Sequence, residues 1–290
     1  IVFSGARIGK GSVPELGEVI AEAMLSACAA PLSETLPTDT QPTQTATEPP
    51  TLPKFDITGE ELMQEMKIGW NLGNTFDAPD GETTWGNPLT TPELLQSVKA
   101  LGFNTIRIPI SWGKHVSPAP EYTIEENFLK RVTTVVDQAL DAGLYVIINS
   151  HHDNHIYSPT PDNAEAGMAY LSAIWTQVAE NFKDRDHHLI FQTMNEPRVQ
   201  GSAYEWWVDT KNEDCMAAVD VVNQLNQAAL DAIRATGGNN ADRFVIVSPY
   251  AANHMAASIS RFKLPADSAE GRLIVSVHAY TPYDLCLNTD

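Results

Sequence analysis

The chain has few cysteines and no long apolar run, and each shortage excludes a class of protein. Three cysteines among 290 residues, at Cys28, Cys215 and Cys286, are too few and too scattered for a disulfide framework or a CxxC metal site. No apolar run reaches the roughly 18 residues that a membrane span requires. The sequence therefore describes neither a disulfide-stabilised small domain nor a membrane-spanning protein.

Basic residues are also scarce, with 18 Lys and Arg against 37 Asp and Glu and a net charge of −19. Such a surface repels a nucleic-acid backbone and an anionic membrane surface alike. We therefore expect no nucleic-acid partner and favour an uncharged ligand. A solvated acidic face that keeps the protein soluble accounts for much of the excess charge.

The N-terminal part of the chain differs in composition from the rest. Residues 31–53 are dense in proline and threonine and nearly lack large apolar side chains, which is typical of a linker. Residues 25–28 read Leu-Ser-Ala-Cys and are similar to the lipobox of bacterial lipoproteins, with Cys28 as the anchored residue. Three glutamates within residues 11–24 interrupt the apolar stretch that a signal requires. We divide the chain into an uncertain segment at 1–30 with a degenerate lipoprotein signal, a linker at 31–53 and a folded domain at 54–290.

Short apolar runs alternate with longer periodic segments throughout the folded domain. This alternation indicates an α/β fold with a parallel sheet. The six predicted strands cover 68–72, 105–110, 145–148, 189–194, 244–247 and 273–277.

Helix signals fall between the predicted strands. Thr91 followed by Pro92 predicts a helix start, and Gly102 is placed to end that helix. Residues 123–126 read Thr-Ile-Glu-Glu and predict a capping box, followed by one apolar face that ends at Gly143. A third apolar face, at Val219, Val222, Leu225, Ala229 and Ile233, precedes a Gly-Gly pair.

Polar residues that follow the strands favour a barrel over a doubly wound sheet. A doubly wound sheet usually carries a glycine-rich phosphate loop after its first strand, and no GxGxxG spacing follows residues 68–72. In a (β/α)8 TIM barrel, strand-end residues converge on one cleft. Each candidate alone has an ordinary structural explanation, but together they predict an active site. The strand-end candidates are Asn71, Asn74, Arg107, His151, His152, Asn195, Glu196, His278 and Tyr280.

Residues 194–197, Met-Asn-Glu-Pro, give the sharpest chemical signal. A glutamate at the end of an apolar strand is partly desolvated, which favours its neutral form and suits it to protonate a glycosidic oxygen. Asn195 can hydrogen-bond a sugar hydroxyl, an interaction that strengthens in an oxocarbenium-like transition state. The pattern predicts Glu196 as a general acid.

Five segments in order resemble glycoside hydrolase family 5, in particular its bacterial endoglucanases, over residues 55–290. They are IGWNLGNTFDA (68–78), GFNTIRIPISW (102–112), GLYVIINSHHD (143–153), LIFQTMNEPR (189–198) and VHAYTPYD (277–284). The resemblance implies a TIM barrel that hydrolyses β-1,4-glucans or related β-glycans with retention and without a metal or other cofactor. The linker composition and the lipobox-like residues 25–28 predict a secreted or lipid-anchored bacterial enzyme, and we expect it to act as a monomer on a β-glucan. Xyloglucan, lichenan and mannan stay open as alternative substrates.

The resemblance also implies roles for individual residues. Glu196 matches the acid/base and Asn195 its sugar-binding neighbour, while Arg107 matches the arginine that supports the nucleophile. Histidines that line the site are matched by His151 and His278. Tyr280 matches the tyrosine beside the nucleophile. Gln192 departs from the family, in which many relatives have Glu.

Retaining hydrolysis requires a second carboxylate about 5–5.5 Å from the first, and the family places it at the end of strand seven. The six predicted strands recur about every 41 residues, so a seventh would begin near 314 if the eight-unit plan continues. We expect six of eight units in this chain, a nucleophile beyond Asp290, and no turnover by residues 1–290 alone. None of the three other candidate acids stands in the sequence motif that a nucleophile would need. They are Asp153, Asp209 and Asp284.

Two other functions remain open. The His-His-Asp run at 151–153 could bind a metal, although adjacent side chains of an extended segment point to opposite faces. A non-catalytic carbohydrate-binding barrel could use indole rings as platforms, whereas aromatic rings in barrels are more often core. The indoles in question are Trp70, Trp85, Trp112, Trp206 and Trp207.

Overall fold

A computed structural model describes residues 55, 57–280 and 282–287. The predicted linker, the segment with Cys28 and the expected nucleophile lie outside the described residues. Helices and strands alternate as predicted, and no described helix is long and apolar enough to cross a membrane. The strands are β1 (Gly69–Asn71), β2 (Thr105–Ile108), β3 (Tyr145–Asn149), β4 (Leu189–Gln192), β5 (Val245–Val247) and β6 (Leu273–Val275). The helices are α1 (Gly59–Met66), α2 (Pro92–Ala100), α3 (Glu126–Asp141), α4 (Ala164–Phe182), α5 (Glu213–Ala235), α6 (Ala256–Ile259) and α7 (Tyr283–Cys286).

All six strands pair in parallel in the order β1-β2-β3-β4-β5-β6. Arg107 of β2 lies between Asn71 of β1 and Ile147 of β3 in the register. A doubly wound sheet reverses its strand order, so this sequential order excludes that alternative among the described strands. The predicted α/β barrel class is confirmed, with six consecutive units of the barrel described.

The first helix, α1, closes the N-terminal end of the strands. It starts at a capping box in which Thr58 accepts from the Glu61 backbone N–H while the Glu61 side chain accepts from Thr58. Leu62 and Met66 are fully buried in an apolar cluster with residues on or next to the strands, at Tyr145, Ile147, Ile190, Phe244 and Ile246. The predicted polar residues of the active site lie at the opposite end, where the strands finish.

Helix ends test the sequence rules directly. Thr91 caps α2 by accepting from the Leu94 N–H at 3.3 Å, as predicted. The predicted capping box at 123–126 is wrong, because the N-cap is Glu125 and has no side-chain cap. Thr123 and Ile124 are instead part of a short antiparallel contact, in which Ile124 bridges Val116.

Arg243 is a buried anchor for the entry to β4. Its guanidinium is inaccessible to solvent and donates to four backbone carbonyls, at Phe182, Arg185, Asp186 and Leu189. The Nε–H donates to Asn240 Oδ1 at 2.6 Å. Burial lowers the pKa of Arg243 to about 9, so the side chain remains charged at neutral pH. It therefore ties the end of α4 and the following loop to the first residue of β4.

The cysteines of the described region, Cys215 and Cys286, are both free. Cys215 is buried, and its sulfur accepts from the Asp209 N–H at 3.3 Å. Burial raises the pKa of the Cys215 thiol, and the thiolate is the reactive form.

In folded protein, iodoacetamide should modify Cys286 and spare Cys215. Peptide mass mapping checks this, and a peptide linking the two cysteines would contradict it.

Candidate active site

Side chains from three strand ends meet at Arg107, which is 6% exposed. Its Nε donates to Gln192 Oε1 at 2.8 Å, and its two terminal nitrogens donate to Asn195 Oδ1 at 2.8 Å and Asn71 Oδ1 at 3.2 Å. All three acceptors are neutral amides. Burial lowers the pKa of Arg107 to about 10, which leaves a buried positive charge at neutral pH. A guanidinium has five N–H donors, so capacity remains for a further acceptor.

The amide of Asn149 sets the protonation of His151. Asn149 Oδ1 accepts from the Ile110 backbone N–H at 3.1 Å, so its Nδ2 must be the group 3.0 Å from His151 Nδ1. His151 Nδ1 is therefore an acceptor, and the neutral ring carries its proton on Nε2. Burial, together with the charge of Arg107, holds the pKa of His151 well below its ordinary value. The ring therefore carries a fixed N–H donor at Nε2.

Glu196 lies beyond the end of β4 with a side chain only 13% exposed. Its Oε1 is 2.6 Å from His278 Nδ1, and its Oε2 is 3.5 Å from a terminal nitrogen of Arg198. Arg198 also contacts Glu205 at 3.0 Å and stacks over the Trp206 ring at 3.9 Å. Two basic groups thus hold the carboxylate in one orientation.

The expected rise in the pKa of Glu196 is wrong for this arrangement. Burial does raise its pKa, but the His278 hydrogen bond and the charges of His278, Arg198 and Arg107 act against burial and lower it below its ordinary value. Glu196 is therefore ionised at neutral pH in the arrangement described. Its position at a strand end predicted desolvation, but not the basic neighbours that outweigh it.

Strained backbone after β5 connects the loops that carry these residues. Ala251 and Ala252 have positive φ angles of 54° and 48°, which are costly for residues with a Cβ. The Ala251 N–H donates to Pro197 O at 2.8 Å, and the His278 N–H donates to Ala252 O at 2.7 Å. This turn therefore fixes the loop of Glu196 and the loop of His278 relative to each other.

Tyr280 lies at the margin of the same cluster. Its ring is 6.3 Å from that of His278, edge to face. Burial and the negative charge of Glu196 raise the pKa of the phenol. It is therefore a neutral hydrogen-bonding group at the pH values where proteins work.

His151 and His152 lie on one side of the chain, contrary to the argument that they face apart. Residue 152 is in a bend, and the two ring centroids are 4.4 Å apart. With Asp77, each offers a ligand atom within 4.8 Å of the others. Both Asp77 oxygens, however, already accept backbone N–H groups, from Asn74 at 3.1 Å and Thr75 at 2.7 Å.

Candidates that the structure assigns elsewhere include Asp153 and Asn74. Asp153 is buried and accepts from the Trp112 and Gly113 N–H groups and from Ser150, so it organises loops. Asn74 occupies a turn with φ of 57°. These are the structural roles that the sequence left open for them.

The tryptophans divide into core and surface. Trp112 is fully buried, and its indole N–H donates to Asn149 O at 3.0 Å, so its candidacy as a sugar platform is wrong. Trp85, Trp206 and Trp207 are about half exposed, at 46%, 46% and 53%. Trp85 is tilted against His152 with 5.9 Å between ring centroids.

Two residues of the site were missed at the sequence level, Arg198 and Asn149. Arg198 stands two positions after Glu196 within a segment already recognised, and that spacing was the available signal. Asn149 is the last residue of β3, where an asparagine between apolar residues and histidines could have been noticed.

An acidic residue held by two basic groups at the carboxyl ends of sequentially paired parallel strands places the chain among (β/α)8-barrel catalytic domains. Comparison with known proteins identifies the family. The family model for cellulase, glycosyl hydrolase family 5, matches residues 69–290. The chain belongs to glycosyl hydrolase family 5.

Similar proteins include the cellulase/esterase CelE of Acetivibrio thermocellus, 45% identical over 81% of this chain and 28% of that protein. Endoglucanase B of Clostridium cellulovorans is 45% identical over 79% of this chain and 50% of that protein. The chain thus spans half or less of these two relatives. A solved structure of a broad-specificity endoglucanase from Ruminococcus champanellensis with bound cellotriose has a TM-score of 0.77 and 42% identity, covering 81% of this chain and 70% of that one.

Proposed function

We propose that this chain is catalytic sequence of a retaining endo-β-1,4-glycanase that cuts β-glucan chains, with Glu196 as its acid/base. The observation that carries the proposal is the pairing of Glu196 with His278 at 2.6 Å. The Glu196 carboxyl group is nearly buried, has a fixed orientation and lies beyond the carboxyl end of β4. Endoglucanases among the relatives and the cellotriose bound to the Ruminococcus champanellensis enzyme support the glucan assignment.

The lowered pKa of Glu196 fits one half of a retaining cycle. In the first half Glu196 must donate a proton, and in the second it must accept one from water. A second carboxylate nearby would raise the pKa of Glu196 by charge repulsion, and this repulsion would disappear once that carboxylate became a glycosyl ester. The described arrangement, which favours the ionised form, then corresponds to the half in which Glu196 acts as base.

Arg107 is the group that we propose to hold the second carboxylate. A buried guanidinium whose acceptors are three neutral amides lacks a counter-charge in direct contact among the described residues. Buried charges are normally paired. The nucleophile would therefore bind beside Arg107, about 5–5.5 Å from Glu196.

Neutral donors and exposed rings around Glu196 suit an uncharged sugar chain. Asn195 uses its Oδ1 on Arg107, which leaves its Nδ2 to donate to a sugar hydroxyl, and His151 offers its Nε2–H. Trp85 and Trp206 present rings that can stack on sugar faces. We propose that these groups bind the glucan on either side of the scissile bond.

The direct test is reducing-sugar release by the chain expressed in its natural sequence context, in a buffer with EDTA. Carboxymethyl cellulose, lichenan, xyloglucan and mannan form the substrate panel. Cleavage of a β-1,4-glucan is expected, and a preference for one of the other glycans would revise only the substrate. Loss of all activity with EDTA would favour the metal-dependent alternative. Binding of glucan without any cleavage would favour the non-catalytic barrel.

Secretion or lipid anchoring remains a further proposal, supported by the composition of residues 31–53 and by Cys28 after a lipobox-like sequence. Fractionation of the producing cells tests it. Activity is expected in the medium or in the membrane fraction. If Cys28 carries the anchor, Cys28→Ser should release membrane-bound activity into the medium.

Replacement of His278 by Ala should move the alkaline limb of the kcat/KM profile to higher pH. The His278 hydrogen bond lowers the pKa of Glu196, so its loss lets burial raise that pKa. The general acid then keeps its proton to higher pH. His254→Ala is the control, since its exposed ring contacts the His278 backbone carbonyl at 3.3 Å and not the Glu196 carboxylate, which His278 contacts. A limb that stays in place or moves down in His278→Ala would contradict the pairing.

A further inference from the structure

A second cluster of titratable side chains lies at the opposite end of the sheet from Glu196. Asp186, His187 and His188 immediately precede β4, whereas Glu196 follows it. One ligand atom from each of the three lies within 4.8 Å of the others. We propose that these residues bind a divalent transition metal ion of the Zn²⁺ type, which the function proposed above does not require.

The chain conformation makes adjacent histidines available to one ion. Residues 187 and 188 lie in a turn, and their rings are 4.4 Å apart with 32° between planes. His188 Nδ1 is 3.0 Å from Asp186 Oδ1. A tetrahedral ion with bonds of about 2.0–2.2 Å separates its ligand atoms by about 3.2–3.6 Å. The pair therefore needs to open by only a few tenths of an ångström to admit an ion.

Free coordination capacity distinguishes this cluster. Asp186 Oδ1 accepts from the His188 N–H at 2.9 Å as well as contacting the ring. Within the described residues, neither Asp186 Oδ2 nor a His187 ring nitrogen has a hydrogen-bond partner. Imidazole nitrogen and carboxylate oxygen together are typical ligands of zinc.

The other three-residue group, Asp77 with His151 and His152, has less capacity. Both Asp77 oxygens accept backbone N–H groups of their own loop, and His151 Nδ1 accepts from Asn149. A metal there would have to share carboxylate oxygens that already accept N–H groups, with His151 Nδ1 also engaged. The cluster before β4 is therefore the stronger candidate.

The surroundings orient the rings and leave them accessible. Tyr145 stacks on His188 at 4.5 Å, and Phe55 contacts His187 edge to face at 6.2 Å. The side chains of His188 and Asp186 are 38% and 40% exposed, so solvent water can complete the coordination. Tyr145 also donates its hydroxyl to Glu65, which adds a negative charge, while Arg272 contributes a positive one near His187.

The test is titration of EDTA-treated protein, in its natural sequence context, with Zn²⁺ by calorimetry and with Co²⁺ by visible absorption. Binding of one ion should raise Tm, because the ion binds only the folded arrangement. Asp186→Asn, His187→Gln and His188→Gln should each weaken Zn²⁺ binding at least about tenfold. Unfolding curves recorded without metal show whether each variant is folded.

Two histidine variants serve as matched controls. His155→Gln changes an exposed histidine elsewhere, and His152→Gln removes a ligand of the other group; both should leave the affinity for Zn²⁺ unchanged. The proposal is overturned if the folded His187 and His188 variants bind Zn²⁺ as the parent does, if His152→Gln abolishes binding, or if the parent protein binds no ion.

Discussion

Glu196→Gln, made in the natural sequence context of the chain, should lower the turnover of β-glucan polymers by about 100- to 10,000-fold, the usual contribution of a general acid. The amide keeps the size of the side chain but can neither deliver nor accept the proton. Substrates with activated leaving groups need little protonation, so their first step should proceed at a rate close to that of the parent. A dinitrophenyl cello-oligosaccharide should therefore give a burst of phenol followed by a slow steady state. Stopped-flow absorbance measures both phases.

Glu205→Gln is the matched control for this experiment. Glu205 also contacts Arg198, at 3.0 Å, but its other oxygen accepts from the Gly201 N–H, whereas His278 contacts Glu196. Any effect of this substitution should be equal for the polymer and the activated substrate. Equal losses on both substrates in Glu196→Gln would contradict the role of Glu196 as an acid.

Arg243→Met should reduce the free energy of unfolding by at least about 1–3 kcal/mol, the usual cost of a buried acceptor that loses its donor. Four backbone carbonyls and Asn240 Oδ1 would lose the guanidinium as a donor, and water cannot readily reach the buried ones to replace it. Phe182 is the last residue of α4, where carbonyls carry the negative end of the helix dipole. Urea denaturation followed by circular dichroism measures the change.

Arg185→Met provides the contrast, because Arg185 and Asp137 form an ion pair with side chains 35% and 36% exposed. Exposed pairs of this kind contribute about 0–1 kcal/mol. A similar cost for the two substitutions would mean that Arg243 is not the anchor of β4. A cooperative transition with an unchanged m-value is needed for both comparisons.

The strands and the long helices could be predicted because their signals are local. β3 and β4 are buried throughout and read as continuous apolar runs. The cap at Thr91 depends on a residue three positions away. The failed cap at 123–126 shows the limit, since the Ile124 N–H is taken by Gln177 Oε1, 53 positions along the chain.

The candidate site was predicted as a set of residues but not as a set of contacts. Strand ends located Arg107, Asn195 and Glu196 together, because parallel strands finish at one edge. The lowered pKa of Glu196 depends on His278, which is 82 positions away in sequence. Contacts between residues so far apart in the chain depend on how the six units pack, and no local sequence pattern predicts them.

Azide tests most directly the proposed role of Glu196 as the acid/base of a retaining glycosidase. In Glu196→Gln the glycosyl-enzyme formed from an activated substrate should accumulate, because no base activates water. Azide is a nucleophile that needs no such base, so it should accelerate release and give a product of β configuration, identified by proton NMR. Absence of acceleration and of any glycosyl azide, or an azide of α configuration, would contradict the account.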